Sequence, residues 1–239
     1  MISSLDWPAS VISGGNLDKD FADSQEPGGL LMEAEREGVV ALVYARLLLA
    51  DETAGSRRDK SRELVVRSFK AAALQGVLSS MLIESETRHL LSVMDQAAIP
   101  GLLLKGQAIA QWAYPDPSLR ASGDIDVLVA TRDAADQLAH RLCESGYELF
   151  QPSGDLVALE MMLRREVAPG VWVEIDLHCR VINSPLFSER FTFDELMAES
   201  IALPRLGANA RGLGPAHAFI HACMHWAATL AVGAEIRLK

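Results

Sequence analysis

The 239-residue sequence is short of cysteine, of positive charge and of long apolar runs, and each shortage narrows what the chain can be. Its three cysteines, Cys143, Cys179 and Cys223, are odd in number and form no CxxC pair. That excludes a disulfide framework and a zinc knuckle, and fits a reducing cytoplasm. Lys and Arg total 22 against 32 Asp and Glu, a net charge of −10, which disfavours extended nucleic-acid binding through a broad basic surface. A small anionic substrate gripped locally is compatible with that balance. No stretch approaches the ~20 apolar residues needed to cross a bilayer, and the opening MISSLDWPASVISGGNLDKD has no positive segment ahead of an apolar one. The expected setting is cytoplasmic, with no membrane partner.

What is present is a composition of 49% hydrophobic and 23% charged residues, enough to bury a sizeable core in one large domain or two small ones. Four regions follow from the texture. Residues 1–29 mix Ser, Gly, Asp and Pro without a period and read as a flexible arm. Residues 30–98 are helical. Val39, Val40, Leu42, Val43, Leu47 and Leu48 mark one apolar stripe over 30–50. Leu64, Val65, Phe69, Ala72, Ala73, Leu78, Leu82, Leu90, Leu91 and Met94 mark a longer one over 61–98, ended by Pro100. Between them Arg57, Arg58, Lys60 and Arg62 interleave with Asp51, Glu52, Asp59 and Glu63, the pattern of a solvated loop and helix start.

Residues 99–182 alternate short apolar runs with helices. Strands are expected at 101–104, 125–129, 147–150 and 171–178, with helices at 107–113 and 133–145. No element is assigned over 151–170. Residues 183–239 return to helix, over 192–199 and from Pro215 to about Val232, with Pro215 suited to a first turn. The fold class expected is α+β: an α/β core with flanking N- and C-terminal helices.

The chemistry concentrates in LLLKGQAIAQWAYPDPSLRASGDIDVLVA, residues 102–130. Asp124 and Asp126 bracket one apolar residue at a strand start, so both carboxylates face one way, roughly 7 Å apart along the backbone. Two such charges call for a cation between them, and hard oxygen ligands suit Mg²⁺. Upstream, the run to Leu104 meets Lys105, Gly106 and a helix, which offers backbone N–H groups and the positive end of a helix dipole to a phosphate. Read locally, the same residues are also a turn glycine and a surface lysine. In V-E-I-D-L-H, Glu174, Asp176 and His178 share one strand face while Val173, Ile175 and Leu177 share the other. Arg120, in the intervening loop, has the planar fork that pairs with phosphate oxygens. His217, His221 and His225 recur every four residues along one helix face; they cannot converge on one ion, and a histidine-rich face lining the cleft or a packed interface is expected of them.

The string LKGQAIAQWAYPDPSLRASGDIDVLV, with its Lys-Gly, Tyr-Pro, Arg and Asp-x-Asp, resembles the uncharacterised nucleotidyltransferases of the DNA polymerase β-like superfamily, closely over 102–130 and loosely over 30–239. The resemblance implies a polymerase β-like mixed sheet. It implies transfer of a nucleoside monophosphate from an NTP to an acceptor by two-metal catalysis with Mg²⁺ or Mn²⁺. Asp124, Asp126 and Asp176 would be the metal-binding and catalytic acids, with Glu174 and His178 as secondary candidates. Lys105, Gly106, Gln107, Arg120, Ser122 and Gly123 would bind the nucleotide, while Tyr114 and Pro115 shape the loop. One departure is Gln107, which follows Gly106 where the superfamily usually has Gly-Ser or Gly-Gly. The acceptor is left open among a small molecule, a peptide, a protein and tRNA. Two rival readings are a catalytically silent nucleotide-binding or scaffold protein and a toxin-like tRNA-modifying transferase. Relatives extend further, so the chain is expected to be a short or truncated form.

Overall fold

A computed structural model of the protein describes residues 11–12, 27–53, 60–150, 160–182, 187 and 189–231. Most of the expected arm over 1–29, the residues around Arg57, and Val232 therefore lie outside the described residues. The chain divides into two compact units, one formed by 1–80 with 118–121 and 237–239, the other by 81–117 with 122–236.

In the first unit, helices α1 (Pro27–Arg36) and α2 (Val40–Thr53) and the start of α3 (Lys60–Gln96) bury Leu30, Ala34, Val43, Leu47, Val65 and Phe69 together. The single helical run expected over 30–50 is two helices, because Gly38 adopts φ +68°. Its N–H bonds to Glu35 O at 3.1 Å, and the Val39 N–H reaches back to Ala34 O at 2.9 Å. That Schellman pattern closes α1 and lets α2 start afresh. Leu48, Leu64 and Leu78, expected on buried faces, are exposed. The buried stripe of α3 runs Val65, Phe69, Ala73, and Leu64 lies roughly 100° round the helix from Val65.

The second unit is built on a seven-stranded mixed sheet of order β3-β4-β5-β2-β1-β7-β6, an α+β architecture. The strands are β1 (Gly101–Leu103), β2 (Asp124–Val129), β3 (Glu148–Phe150), β4 (Glu160–Ala168), β5 (Val171–His178), β6 (Ile201–Ala202) and β7 (Arg211–Gly212). Helices α4 (Lys105–Ala113), α5 (Arg132–Glu144), α6 (Phe193–Ala198) and α7 (Pro215–Ala231) join them. β5 pairs with β2 in parallel and with β4 antiparallel, and β1 pairs antiparallel with β2. β4, β6 and β7 fall where no strand was expected. β4 reads EMMLRREVA, in which buried Met161 and Leu163 alternate with half-buried Glu160, Met162 and Arg164, and its partner β5 supplies the burial that propensity does not.

The two faces of this sheet bury different sets. Ile125, Val127 and Val129 of β2 and Val173, Ile175 and Leu177 of β5 pack with Leu90 and Met94 of α3 and Leu138 and Leu142 of α5. On the other face Leu102, Leu104 and Leu128 pack with Leu196 of α6 and Ala218 and Met224 of α7. α3 itself stops before Pro100: Ala98, at φ 52°, takes the left-handed position that normally favours glycine, and the Ile99 N–H bonds to Met94 O at 3.0 Å. α6 begins with a capping box in which Thr192 and Glu195 each accept the other's backbone N–H.

Candidate active site

β2 and β5 lie parallel in a register that sets Asp124 beside Glu174, Asp126 beside Asp176 and Leu128 beside His178. Because strand side chains alternate, all of these share the face opposite Ile125, Val127, Ile175 and Leu177. Asp126 is 2% exposed. Its Oδ1 accepts from Lys105 Nζ at 2.6 Å and lies 3.1 Å from His178 Nε2, which is itself 3.5 Å from Glu160 Oε1. Burial alone would raise the Asp126 pKa, but the His178 hydrogen bond and the Lys105 charge outweigh it and hold the carboxylate well below the usual range. Asp126 therefore accepts from both neighbours.

Asp176 is in the opposite state. Its pKa is pushed up to about 7, first by burial and then by the negative charges of Asp126 and Glu160, with Asp124 adding to them and His178 opposing. Its Oδ1 is buried and has no hydrogen-bond partner among the described residues. One ligand atom from each of Asp126, Asp176 and His178 fits within a span of 4.8 Å, a compact donor set of two oxygens and one imidazole nitrogen. Asp124 is half-buried and lies outside that set, although its charge acts on both Lys105 and Asp176.

Lys105 arrives at Asp126 through the turn from β1 into α4. The Leu104 N–H bonds to Asp126 O at 2.9 Å, and the next residue, Lys105, has φ 45°. A branched or long side chain in this left-handed region costs about 1–2 kcal/mol, a strain typical of functional positions. Burial works against the lysine's charge, yet Asp126 more than compensates and its pKa is raised. Leu104, the N-cap of α4, provides no side-chain cap, so no side chain of that residue competes for the first-turn N–H groups. Gly106 is demanded by a close approach: a Cβ there would sit 2.4 Å from Ser122 Oγ. Ser122 Oγ in turn donates to Asp124 O at 3.0 Å, which ties the helix start to the acid-bearing strand. Gln107 is buried in the same turn, and Gly123 is exposed. Arg120 belongs to the other unit, where its Nη1 donates to Ala121 O at 3.4 Å.

Glu160 is the neighbour that the sequence did not point to. It stands opposite His178 on β4, a strand with no sequence signal, so nothing in its local pattern marked it. A cavity of about 430 Å³ lined by Thr131, Arg132, Arg180, Phe191 and Phe193 lies beyond the C-terminal ends of β2 and β5 and includes none of the clustered acids.

The mixed sheet thus brings acids from two parallel strands, in a cluster that could hold a cation, against a lysine at a helix start. Residues 23–239 match the family model described as uncharacterised nucleotidyltransferase, and the chain belongs to that family. Nucleotidyl transfer is thus the activity class. No curated protein shows significant similarity to the chain, and no helix among the described residues is long and apolar enough to cross a membrane.

Proposed function

We propose that the protein transfers a nucleoside monophosphate from an NTP to an acceptor, using the acids of β2 and β5 in a polymerase β-like arrangement. The observation that carries the reading is the parallel register laying Asp126 beside Asp176, with Asp176 Oδ1 buried and without a hydrogen-bond partner among the described residues. A buried carboxylate oxygen without a donor is destabilising unless a cation or proton completes it. The donor set of Asp126, Asp176 and His178 fits a divalent cation, with Asp124 as the further acid on the same strand. When bound, Mg²⁺ or Mn²⁺ would neutralise triphosphate charge and make the acceptor oxygen more nucleophilic.

The chain's own groups then divide the work. Lys105 neutralises Asp126 in this structure and, turned towards the nucleotide, binds a phosphate. The first-turn N–H groups of α4, at Gly106 and Gln107, face the same charge, with Ser122 and Gly123 shaping the approach. As the acceptor oxygen bonds to the α-phosphorus, the bond to pyrophosphate breaks. The acceptor's proton would pass to solvent, because Asp176 serves the cation as a carboxylate. Glu174 borders the acceptor side, and the acceptor is a small molecule, a peptide, a protein or tRNA.

The test is titration calorimetry of each of the four NTPs with Mg²⁺ and with Mn²⁺, on wild type and on Asp126→Ala and Asp176→Ala. Metal-dependent binding of at least one NTP is expected, with each variant weakening it by roughly 100-fold, the scale of losing a principal charge partner in a transfer site. Binding that is absent in wild type, or untouched by both substitutions, would sink the reading.

A further inference from the structure

α7 crosses the acid-bearing face of the sheet. Its Ala218 and Met224 are buried with Leu102, Leu104 and Leu128, and Ala228 packs against the same cluster. Positions three and four apart on a helix share a face, so the stripe that fastens α7 also carries its histidines. These end up in different environments. His217 Nδ1 lies 3.7 Å from Glu199 Oε2, and its ring meets Phe191 edge-on at 5.1 Å. His225 is exposed, its ring 6.5 Å from that of His221. His221 is only 4% exposed, and its Nε2 has no hydrogen-bond partner among the described residues.

A ring nitrogen left unpaired at that depth works against folding, and a folded chain keeps such a group where something else uses it. The surroundings show what that is. His221 is near enough to Lys105, His178 and Asp126 for their charges to act on it. Burial first, and then the positive charges of Lys105, His178 and His225, lower its pKa to about 4 against the opposing effect of Asp126. The imidazole is therefore neutral near pH 7. α7 also touches α4, the helix that starts at Lys105 without a side-chain cap.

We propose that His221 is a substrate-contacting residue of this site, its Nε2 hydrogen-bonding a phosphate oxygen of the bound nucleotide. The assignment rests on the nucleotidyl-transfer reading above and adds a residue from the C-terminal helix to it. A phosphate fits better than a metal ion. His221 is not part of the set that closes to within 4.8 Å, and the groups on its side of the site, Lys105 and the α4 start, form a positive pole. A neutral ring donates an N–H to phosphate there without adding a further cation beside Lys105.

The experiment is calorimetric titration of Mg²⁺·tripolyphosphate and of the Mg²⁺·NTP that binds best, on wild type, His221→Leu and His221→Gln, with thermal melts of each. His221→Leu should bind both probes about tenfold more weakly, the effect of one hydrogen bond to a charged oxygen, while its Tm holds or rises because an unpaired polar atom has been removed. His221→Gln, which keeps an N–H at nearly the same reach, should stay within about threefold of wild type. Should His221→Leu lose its fold, His221→Asn, whose amide is too short, carries the same expected loss. Wild-type affinity in the Leu or Asn variant, or a fall in Tm shared by the Leu and Gln variants at unchanged affinity, would overturn the assignment and leave the transferase reading standing. A wild type that binds neither probe would overturn both.

Discussion

The two faces of the central sheet are made from the same strands, yet they treat buried polar groups in opposite ways. On the α3 and α5 side, Glu86 is 7% exposed and fully engaged: Tyr147 donates its hydroxyl to Glu86, and Arg165 pairs with the same carboxylate while stacking over the Tyr147 ring at 4.8 Å. On the α7 side, Asp176 Oδ1 and His221 Nε2 are buried and have no hydrogen-bond partner among the described residues. The first face has its polar groups closed by protein, as a structural network must. The second leaves two of them open, within reach of one lysine and one tightly held aspartate. An unpaired polar atom is a cost that folding alone gives no reason to keep, and under the proposed function the second face is the one that would meet a ligand.

That contrast can be broken most sharply at Glu86. Glu86→Gln should lower stability by about 2–3 kcal/mol, because it leaves the Arg165 charge without its partner. At roughly 2–4 °C per kcal/mol, thermal melts should record a loss of several degrees. Metal-dependent NTP affinity of the folded protein should stay as in wild type, and a matching loss of affinity would show that the two faces are not separable.

Asp176 offers the reverse experiment. Its folded pKa, pushed up to about 7 by burial first and then by Asp126, lies above the ordinary value of 3.8. The folded state thus keeps a proton that the unfolded chain releases, and this group's contribution to stability is fully present below about pH 4 and is lost as pH rises towards 7. Asp176→Asn should remove that loss. Melts should coincide with wild type near pH 4 and exceed it by a few degrees at pH 8, while transfer activity is abolished. A variant less stable than wild type at pH 8 would place Asp176 with Glu86, as a structural group.

The smallest effect sharpens the boundary of the α3 side. Ala98 holds a left-handed φ of 52° at the end of α3 with open glycine chemistry missing. Ala98→Gly should relieve the Cβ conflict and stabilise by about 0.5–1 kcal/mol, less the extra freedom that glycine gives the unfolded chain. Chemical denaturation is the measurement, and a destabilised variant would mean that chain entropy outweighs the relief at this cap.

Much of this was legible in the sequence because it depends on local period. Alternation in V-E-I-D-L-H separated polar from apolar positions on β5, and the D-x-D spacing put both acids of β2 on one face, before any partner strand was known. The 3.6-residue spacing found α3, α5 and α7 to within a few residues. Where local pattern failed, a non-local or stereochemical fact decided. Gly38 broke one apolar stripe into two helices through its φ, and β4 became a strand because β5 lay beside it.

By itself, then, the sequence determined which residue types sit on which side of each strand and helix, since side-chain direction follows from backbone geometry within a few residues. Only the tertiary structure decided who meets whom. The register that pairs Asp126 with Asp176, the turn that carries Lys105 onto Asp126, the presence of Glu160 opposite His178, and the burial of His221 rather than His225 all join residues distant in the chain. Pairing of that kind is set by the packing of whole elements against one another, and no short stretch of sequence contains it.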